Sequence, residues 1–259
     1  MGTFEFNGEK YKQASKHQKE WGNKMISDLE LKGNEIILDL GCGDGFLTEQ
    51  LAALVPNGKV TGIDASIGML ETAKKFKKSN LDFICMDINA IDFTNRFDII
   101  YSNAALHWIK DHKLLLKNCL SALKENGIIK WSFAGDGTCS NFYEVSKIVM
   151  NDSAFKEYFC TFEWPWFMPS KSEYETILES AGFNKIHLEY ENADRYFSSV
   201  DEMVKWIDQP SIVPFIKNVP ETEKGKFRDM VVNMMIEKTK QADGRCFETF
   251  RRINVLATK

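Results

Sequence analysis

The sequence predicts an α/β protein: a Rossmann-like, doubly wound sheet of seven strands, mostly parallel with the last antiparallel, helices on both faces, and a helical lid. Three observations carry this. Short apolar, β-branched runs alternate with segments of helical period, as βαβ units do. The stretch Glu35 to Gln50, EIILDLGCGDGFLTEQ, passes from such a run through Gly41, Gly43 and Gly45 into a helical pattern over Phe46 to Leu54. Two later runs, Lys59 to Asp64 and Asp82 to Ile88, carry acids near their ends.

Taken in order, residues 1–34 read as an N-terminal helical cap. Tyr11 to Trp21 leads into an apolar stripe of Met25, Ile26, Leu29 and Leu31, and Gln18 and Trp21 stand about one turn apart. Residues 35–259 form the main domain. Ile36 to Asp39 is the first strand, and the glycines after it allow positive φ and close approach of a ligand to backbone N–H groups. The turn is GxGxG rather than the dinucleotide fingerprint GxGxxG, and Asp39 and Asp44 would repel a phosphate. They suit a cationic ligand such as S-adenosylmethionine, with its sulfonium and ammonium. Cys42 falls in the same crevice, where small apolar residues are wanted.

Asp64, 19 residues after Gly45, ends the second strand where it can accept hydrogen bonds from a ribose. Ala65 opens the next helix, whose Met69 offers a soft apolar wall beside an adenine. On the third strand Asp87 can accept from an adenine amino group, and the Ile88 N–H can reach a ring nitrogen. Phe97 to Ser102 is the fourth strand. It leads to Asn103, expected to contact the cofactor, and to His107 and Trp108, all at the crevice mouth, followed by a helix from Asp111 to Leu123 and a fifth strand from Gly127 to Phe133. Ser170 caps a helix that Gly182 ends, Phe183 to Glu191 and Phe247 to Thr258 are the last strands, and residues 192–246 are a helical insertion with a cap at Ser199.

Composition narrows the function. A formal charge of −4 gives no field for nucleic acid or a membrane surface, so neither is an expected partner. The six cysteines include no CxxC pair and no metal-ligand spacing with the four histidines. No metal is expected, Cys42 and Cys85 read as reduced packing residues, and the protein is expected in the cytoplasm. Met1 to Phe6 shows no signal or myristoylation pattern.

The succession LDLGCGDG, GIDAS, CMDI and FDIIYSNAALHWIKD resembles the class I S-adenosylmethionine-dependent methyltransferases over about residues 30–135. It is most similar to the group holding trans-aconitate methyltransferase, the malonyl carrier-protein methyltransferase of biotin synthesis and juvenile hormone acid methyltransferase, which esterify free carboxylates. That resemblance implies that Asp39, Gly41 and Gly43 line the methionine portion of the cofactor, Asp64 holds its ribose, and Asp87 with Ile88 its adenine. It implies S-adenosylhomocysteine as product, and Gln18 and Trp108 as holders of a substrate carboxylate.

A carboxylate is ionised at neutral pH and needs orienting donors and a dry pocket, not a base. A hydroxyl acceptor would instead need a base, for which His107 is the candidate in its ordinary titration range. Nitrogen or carbon acceptors and a catalytically silent cofactor-binding protein are the other readings. Trp108, Trp131, Phe133, Trp164, Trp166 and Phe167 are expected on the crevice side of the strands or on the connection above it, with core packing accounting for at least half of them. With no Arg clamp evident, the expected partner is a small monoanionic acid with an apolar body.

Overall fold

The computed structural model describes residues 15–259. The expectations for Met1 to Phe6 and for the start of the cap at Tyr11 lie outside the described residues. The chain divides into two compact units, the first running to Asp136 and adding Trp166–Glu191 and Arg252–Lys259.

In the first unit, α1 (Lys16–Ser27) precedes β1 (Ile36–Leu40), α2 (Phe46–Leu54), β2 (Lys59–Asp64), α3 (Ile67–Ala73), β3 (Leu81–Cys85) and β4 (Phe97–Asn103). Then come α4 (His112–Ala122), β5 (Leu123–Ala134), α5 (Lys171–Ala181), β6 (Asn184–Asn192) and β7 (Arg251–Thr258). The seven-stranded sheet has the order β3-β2-β1-β4-β5-β7-β6. Strands β1 to β5 pair in parallel and β7 is antiparallel to β5.

Side chains alternate across a strand, so each strand feeds two cores. Leu38, Leu40 and Ile100 pack with Leu115 and Leu116 of α4 and with Tyr174 and Leu178 of α5. Ile37, Val60, Ile99 and Tyr101 pack on the other face with Met25 and Ile26 of α1 and with Leu51 and Ala52 of α2. Strands buried on both faces must be apolar throughout, which is why they were readable as continuous runs.

Caps fix the helix starts. The Ser66 hydroxyl accepts from the Met69 N–H, Asp111 from Leu114 and Ser170 from Glu173, while Gly182 closes α5 in the left-handed region. In the core, His112 Nε2 lies 3.0 Å from the Leu106 carbonyl, which only accepts, so Nε2 carries the proton. Nδ1 then accepts from the Tyr174 hydroxyl at 2.9 Å. Burial holds the His112 pKa down at about 4, so the ring stays neutral.

Several boundaries differ from expectation. Strand β3 stops at Cys85, and Asp87 instead caps a 3-10 turn over Ile88–Ala90, accepting from the Asn89 N–H at 2.8 Å. Cys85 is exposed, not a packing residue. Trp131 and Phe133 are fully buried in the core beneath α4 and α5 rather than on the crevice side. The run expected from Phe247 is split. Cys246–Glu248 pairs antiparallel with Arg195–Phe197 in a separate ribbon, and β7 begins at Arg251.

The second unit joins Gly137–Pro165 to Asn192–Arg251, so a helix at Ser140–Met150 belongs with the segment read as an insertion. Ser199 caps Val200–Trp206 as expected, its hydroxyl accepting from the Glu202 N–H. A 19-residue helix, Glu221–Thr239, buries Phe227, Val231 and Met235. Trp164, expected at the crevice, stacks on Tyr143 here, with ring centroids 4.4 Å apart. No helix among the described residues is long and apolar enough to cross a membrane.

One turn position tests the packing directly. Gly45 has φ +78°, and a Cβ there would meet Ala73 Cβ and Phe83 Cζ at 2.8 Å. Gly45→Ala should lower the unfolding free energy by about 1–3 kcal/mol, from backbone strain and overpacking together. The urea midpoint reads this, and an unchanged midpoint would contradict it.

Candidate active site

The glycine turn joins the carboxyl end of β1 to α2. The N–H groups of Gly41 and Cys42 both donate to the Ile63 carbonyl at 2.9 Å, drawing the turn against β2. Gly41, Gly43 and Gly45 all have positive φ, but the space beside them differs. A Cβ on Gly41 would stand 2.3 Å from Ala105 Cβ, so that glycine serves chain packing. On Gly43 it would meet nothing closer than Met69 Cε at 3.7 Å, which leaves Gly43 as the position open to a ligand.

Asp64 organises this opening. One carboxylate oxygen accepts from the Gly43 N–H at 2.9 Å and the other from the Ser66 N–H at 2.8 Å. The half-buried carboxylate thus ties the turn to the start of α3. Ala65 beside it is half-buried, and Met69 is buried with its terminal methyl toward Gly43. Ile88 is buried in the core, and both the Asn89 N–H and its side-chain amide donate to Asp87. Cys42 is buried against Leu70, Ala73 and Phe83, and burial pushes its thiol pKa up, so it packs as a neutral group.

The two acids of the turn have different states. Asp44 is buried and paired with Lys19 of α1 at 2.9 Å, so α1 neutralises it. Asp39 is buried and accepts from the Thr48 hydroxyl at 2.7 Å. Burial raises its pKa from 3.8 to about 7; the Thr48 bond opposes that rise and the charge of Asp64 adds to it. A cationic ligand group nearby would favour the ionised form. The open Gly43 position, the Met69 wall, the Asp64 carboxylate at the end of β2 and an acid poised to ionise fit S-adenosylmethionine.

At the mouth, one hydrogen-bonded cluster gathers residues far apart in sequence. Asn103, at the end of β4, donates to the Gln18 backbone carbonyl at 2.8 Å and accepts from Arg252 Nη2 at 2.9 Å. Arg252, 4 % exposed, also donates from Nε to the Ser132 hydroxyl and from Nη2 to the Ser132 carbonyl, each at 2.9 Å. Its guanidinium lies 4.1 Å from the Trp21 ring centroid. Helix α1 is held further by the Tyr101 hydroxyl on the Gly22 carbonyl and by Lys24 on Glu191 at 3.0 Å. Gln18 Oε1 is buried with no hydrogen-bond partner among the described residues.

His107 and Trp108 ride on a 3-10 turn, Leu106–Trp108. The Phe167 N–H donates to the His107 carbonyl at 2.8 Å, and the Trp108 and Trp166 rings meet edge to face at 5.6 Å. His107 Nδ1 is buried and has no hydrogen-bond partner among the described residues. Burial and then the charge of Arg252 hold the ring's pKa down to about 3. The ordinary titration range expected for His107 is therefore overturned: the imidazole is neutral at physiological pH and a weak base. Arg252 was missed in the sequence because an Arg pair at a strand start resembles solvated surface; no local pattern marks its burial. No group of three or more His, Cys, Asp or Glu residues among the described residues could hold a metal.

Asp39 gives a signed pH test. The folded carboxyl keeps its proton to about pH 7, whereas the unfolded one loses it near 3.8. The folded state binds more protons between those values, so the group's contribution falls as pH rises through that window. Asp39→Asn, which preserves an acceptor for Thr48, should gain stability over wild type between about pH 4 and pH 7, by on the order of 3–4 kcal/mol at the upper end. Urea unfolding across that range checks it, and a constant difference would contradict it.

A family described as a methyltransferase domain matches residues 37–127. The chain is 34% identical over 143 residues to a malonyl-[acyl-carrier protein] O-methyltransferase of Acetivibrio thermocellus, covering 54% of this chain and spanning about half (50%) of that relative's length. It is 26% identical over 238 residues to a trans-aconitate 2-methyltransferase of Enterobacter sp., covering 91% of each. In fold it is similar to Haemonchus contortus phosphoethanolamine N-methyltransferase 2, solved with S-adenosyl-L-methionine, at a TM-score of 0.60 and 20% identity, covering 97% of this chain and 56% of that one. The chain thus carries a methyltransferase domain at residues 37–127, and its sheet order and glycine turn are similar to those of class I S-adenosylmethionine-dependent methyltransferases.

Proposed function

We propose that the protein transfers a methyl group from S-adenosylmethionine to a carboxylate oxygen of a small-molecule acid. The observation that carries this is the state of the crevice mouth: a buried cation, Arg252, stands one hydrogen-bonded residue from Gln18, and the nearby histidine, its pKa held down by burial, is a weak base. Such a site favours an anion that is already a nucleophile over a hydroxyl that must lose a proton. Two relatives named for carboxylate substrates, malonyl-acyl carrier protein and trans-aconitate, support the reading.

In this reading Asp39, Gly43, Asp64, Ala65, Met69, Asp87 and Ile88 hold the cofactor, and Asn103 braces the acceptor side. Bound S-adenosylmethionine supplies a methyl on a sulfonium; a carboxylate oxygen takes it, leaving a methyl ester and S-adenosylhomocysteine with no proton exchanged. The chain's part is to orient the acceptor and keep water out. Gln18 and Trp108 offer an amide and an indole N–H to the carboxylate, and neutral His107 can donate a third N–H. Trp108 and Trp166 supply apolar walls.

Three outcomes test this. Asp64→Ala should weaken S-adenosylmethionine binding by about 1.5–3 kcal/mol, the cost of losing hydrogen bonds to a charged group; calorimetry reads it, and unchanged affinity would remove the ribose role. In a screen of carboxylic acids with labelled cofactor, Gln18→Ala and Trp108→Phe should lose most turnover while His107→Ala loses about tenfold or less, one hydrogen bond's worth. At saturating cofactor, kcat should stay flat from about pH 5.5 to pH 8, because no group must accept a proton. A profile rising with pH, or turnover only with hydroxyl, nitrogen or carbon acceptors, would overturn the carboxylate reading. Absence of any turnover would favour a silent cofactor-binding protein.

A further inference from the structure

The first unit has a second opening, at the edge of its sheet. Strand β3 is the outermost strand and pairs only with β2 among the described residues. Between its first residues and the end of α3 lies a cavity of about 420 Å³, open to solvent and in the size range of small-molecule sites. Phe76, Leu81 and Phe83 form its apolar side, and Lys74, Lys77 and Lys78 its rim. Leu81 opens β3, whereas the cofactor crevice lies at the carboxyl ends of the strands, so the two openings are separate.

The charges around this cavity do not cancel. Lys78 is paired with Glu49 of α2 at 2.8 Å, and Asp82, the acid of the lining, is paired with Lys59 at 2.7 Å. Lys74 and Lys77 are exposed and have no ion pair among the described residues. The chain carries a formal charge of −4, so a basic cavity runs against its overall field. An apolar wall with a cationic rim suits an amphipathic anion, whose body leaves water against the rings while its head meets the ammonium groups. Lysines that only guarded a sheet edge against another copy would need no cavity and no half-buried rings beside them.

Phe83 connects this cavity to the cofactor turn. Its ring lines the cavity and also packs against Cys42, Leu70 and Ala73. A Cβ on Gly45 would stand 2.8 Å from both Phe83 Cζ and Ala73 Cβ, and Ala73 directly precedes Lys74 of the rim. The turn has no slack on that side, so a ligand that moves Phe83 toward it must deform it.

We propose that this cavity is a second ligand site, specific for a small amphipathic anion with a carboxylate, sulfonate or phosphate head and an apolar body, and that its occupancy weakens cofactor binding through Phe83. The proposal is independent of which atom accepts the methyl group.

The probe is anilinonaphthalene sulfonate, whose fluorescence rises as it leaves water, compared with phenylnaphthylamine, its uncharged counterpart. Both are titrated into the folded full chain with S-adenosylhomocysteine filling the cofactor crevice. Lys74→Gln combined with Lys77→Gln should weaken the sulfonate about 5- to 30-fold, as loss of two exposed ion pairs near the top of their range would, and leave the uncharged dye within about twofold. Lys75→Gln, in the same run but not lining the cavity, should change neither dye by more than about twofold. By calorimetry, saturating sulfonate should weaken S-adenosylhomocysteine binding about fivefold, and S-adenosylhomocysteine should weaken the sulfonate by the same factor. Phe83→Leu should abolish that coupling while holding the dye within about threefold of wild type.

Sulfonate affinity unchanged by the two lysine substitutions, or lowered as much by Lys75→Gln, would overturn the site. Sulfonate binding with unchanged or tightened S-adenosylhomocysteine affinity would overturn the coupling through Phe83. If Phe83→Leu does not fold, the double lysine variant decides, since a dye concentration that saturates only wild type should there leave cofactor affinity unchanged. If S-adenosylhomocysteine does not bind at all, the cofactor reading falls, and the dye titrations of the wild type and lysine variants still test the site.

Discussion

The bond between Arg252 and Asn103 is the interaction on which the polar cluster at the carboxyl end of the sheet depends. It joins the last strand of the sheet to the end of β4, and through Asn103 it reaches the backbone of α1 at Gln18. A buried guanidinium is tolerable only when its donors are met and its charge is balanced or used. Here Ser132 meets two of those donations and the Trp21 ring covers the cation. Breaking the link would leave polar atoms stranded at the sheet's ligand end, so the same contact that positions Gln18 also holds α1 against the sheet.

The cofactor side rests on a different constraint, close packing around glycines. Gly41 and Gly45 are demanded by Ala105, Ala73 and Phe83, whereas only Gly43 of the three faces space. Asp64 then serves two ends at once, bonding the turn and the start of α3. A motif that reads as three equivalent glycines is, physically, two packing positions and one opening.

Most of the sheet was legible because strands buried on both faces must be continuously apolar, and because turns and caps need particular residues. Phe46–Leu54 and Lys59–Asp64 have the bounds their patterns predict, and Ser170 and Gly182 delimit α5 as capping chemistry requires. Short non-local pairings left no such mark: three-residue strands at Arg195–Phe197 and Cys246–Glu248 depend on each other, not on local pattern. Aromatics misled for the same reason, since Trp131 and Phe133 look alike whether they line a crevice or fill a core. Of the candidate site, the acids and glycines are the residues that spacing marks in the sequence. Arg252, the Lys19–Asp44 pair and the neutral state of His107 are not so marked, because burial and charge balance are set by residues distant in the chain.

The central claim is that the accepting atom is a carboxylate oxygen. It is tested most directly by the alkaline stability of the product formed with methyl-labelled S-adenosylmethionine. A methyl ester hydrolyses in mild base and returns the label as volatile methanol, and this account predicts that nearly all transferred label is released so. Label that stays with the product through alkaline hydrolysis would mark an ether, amine or carbon-bound methyl and contradict it.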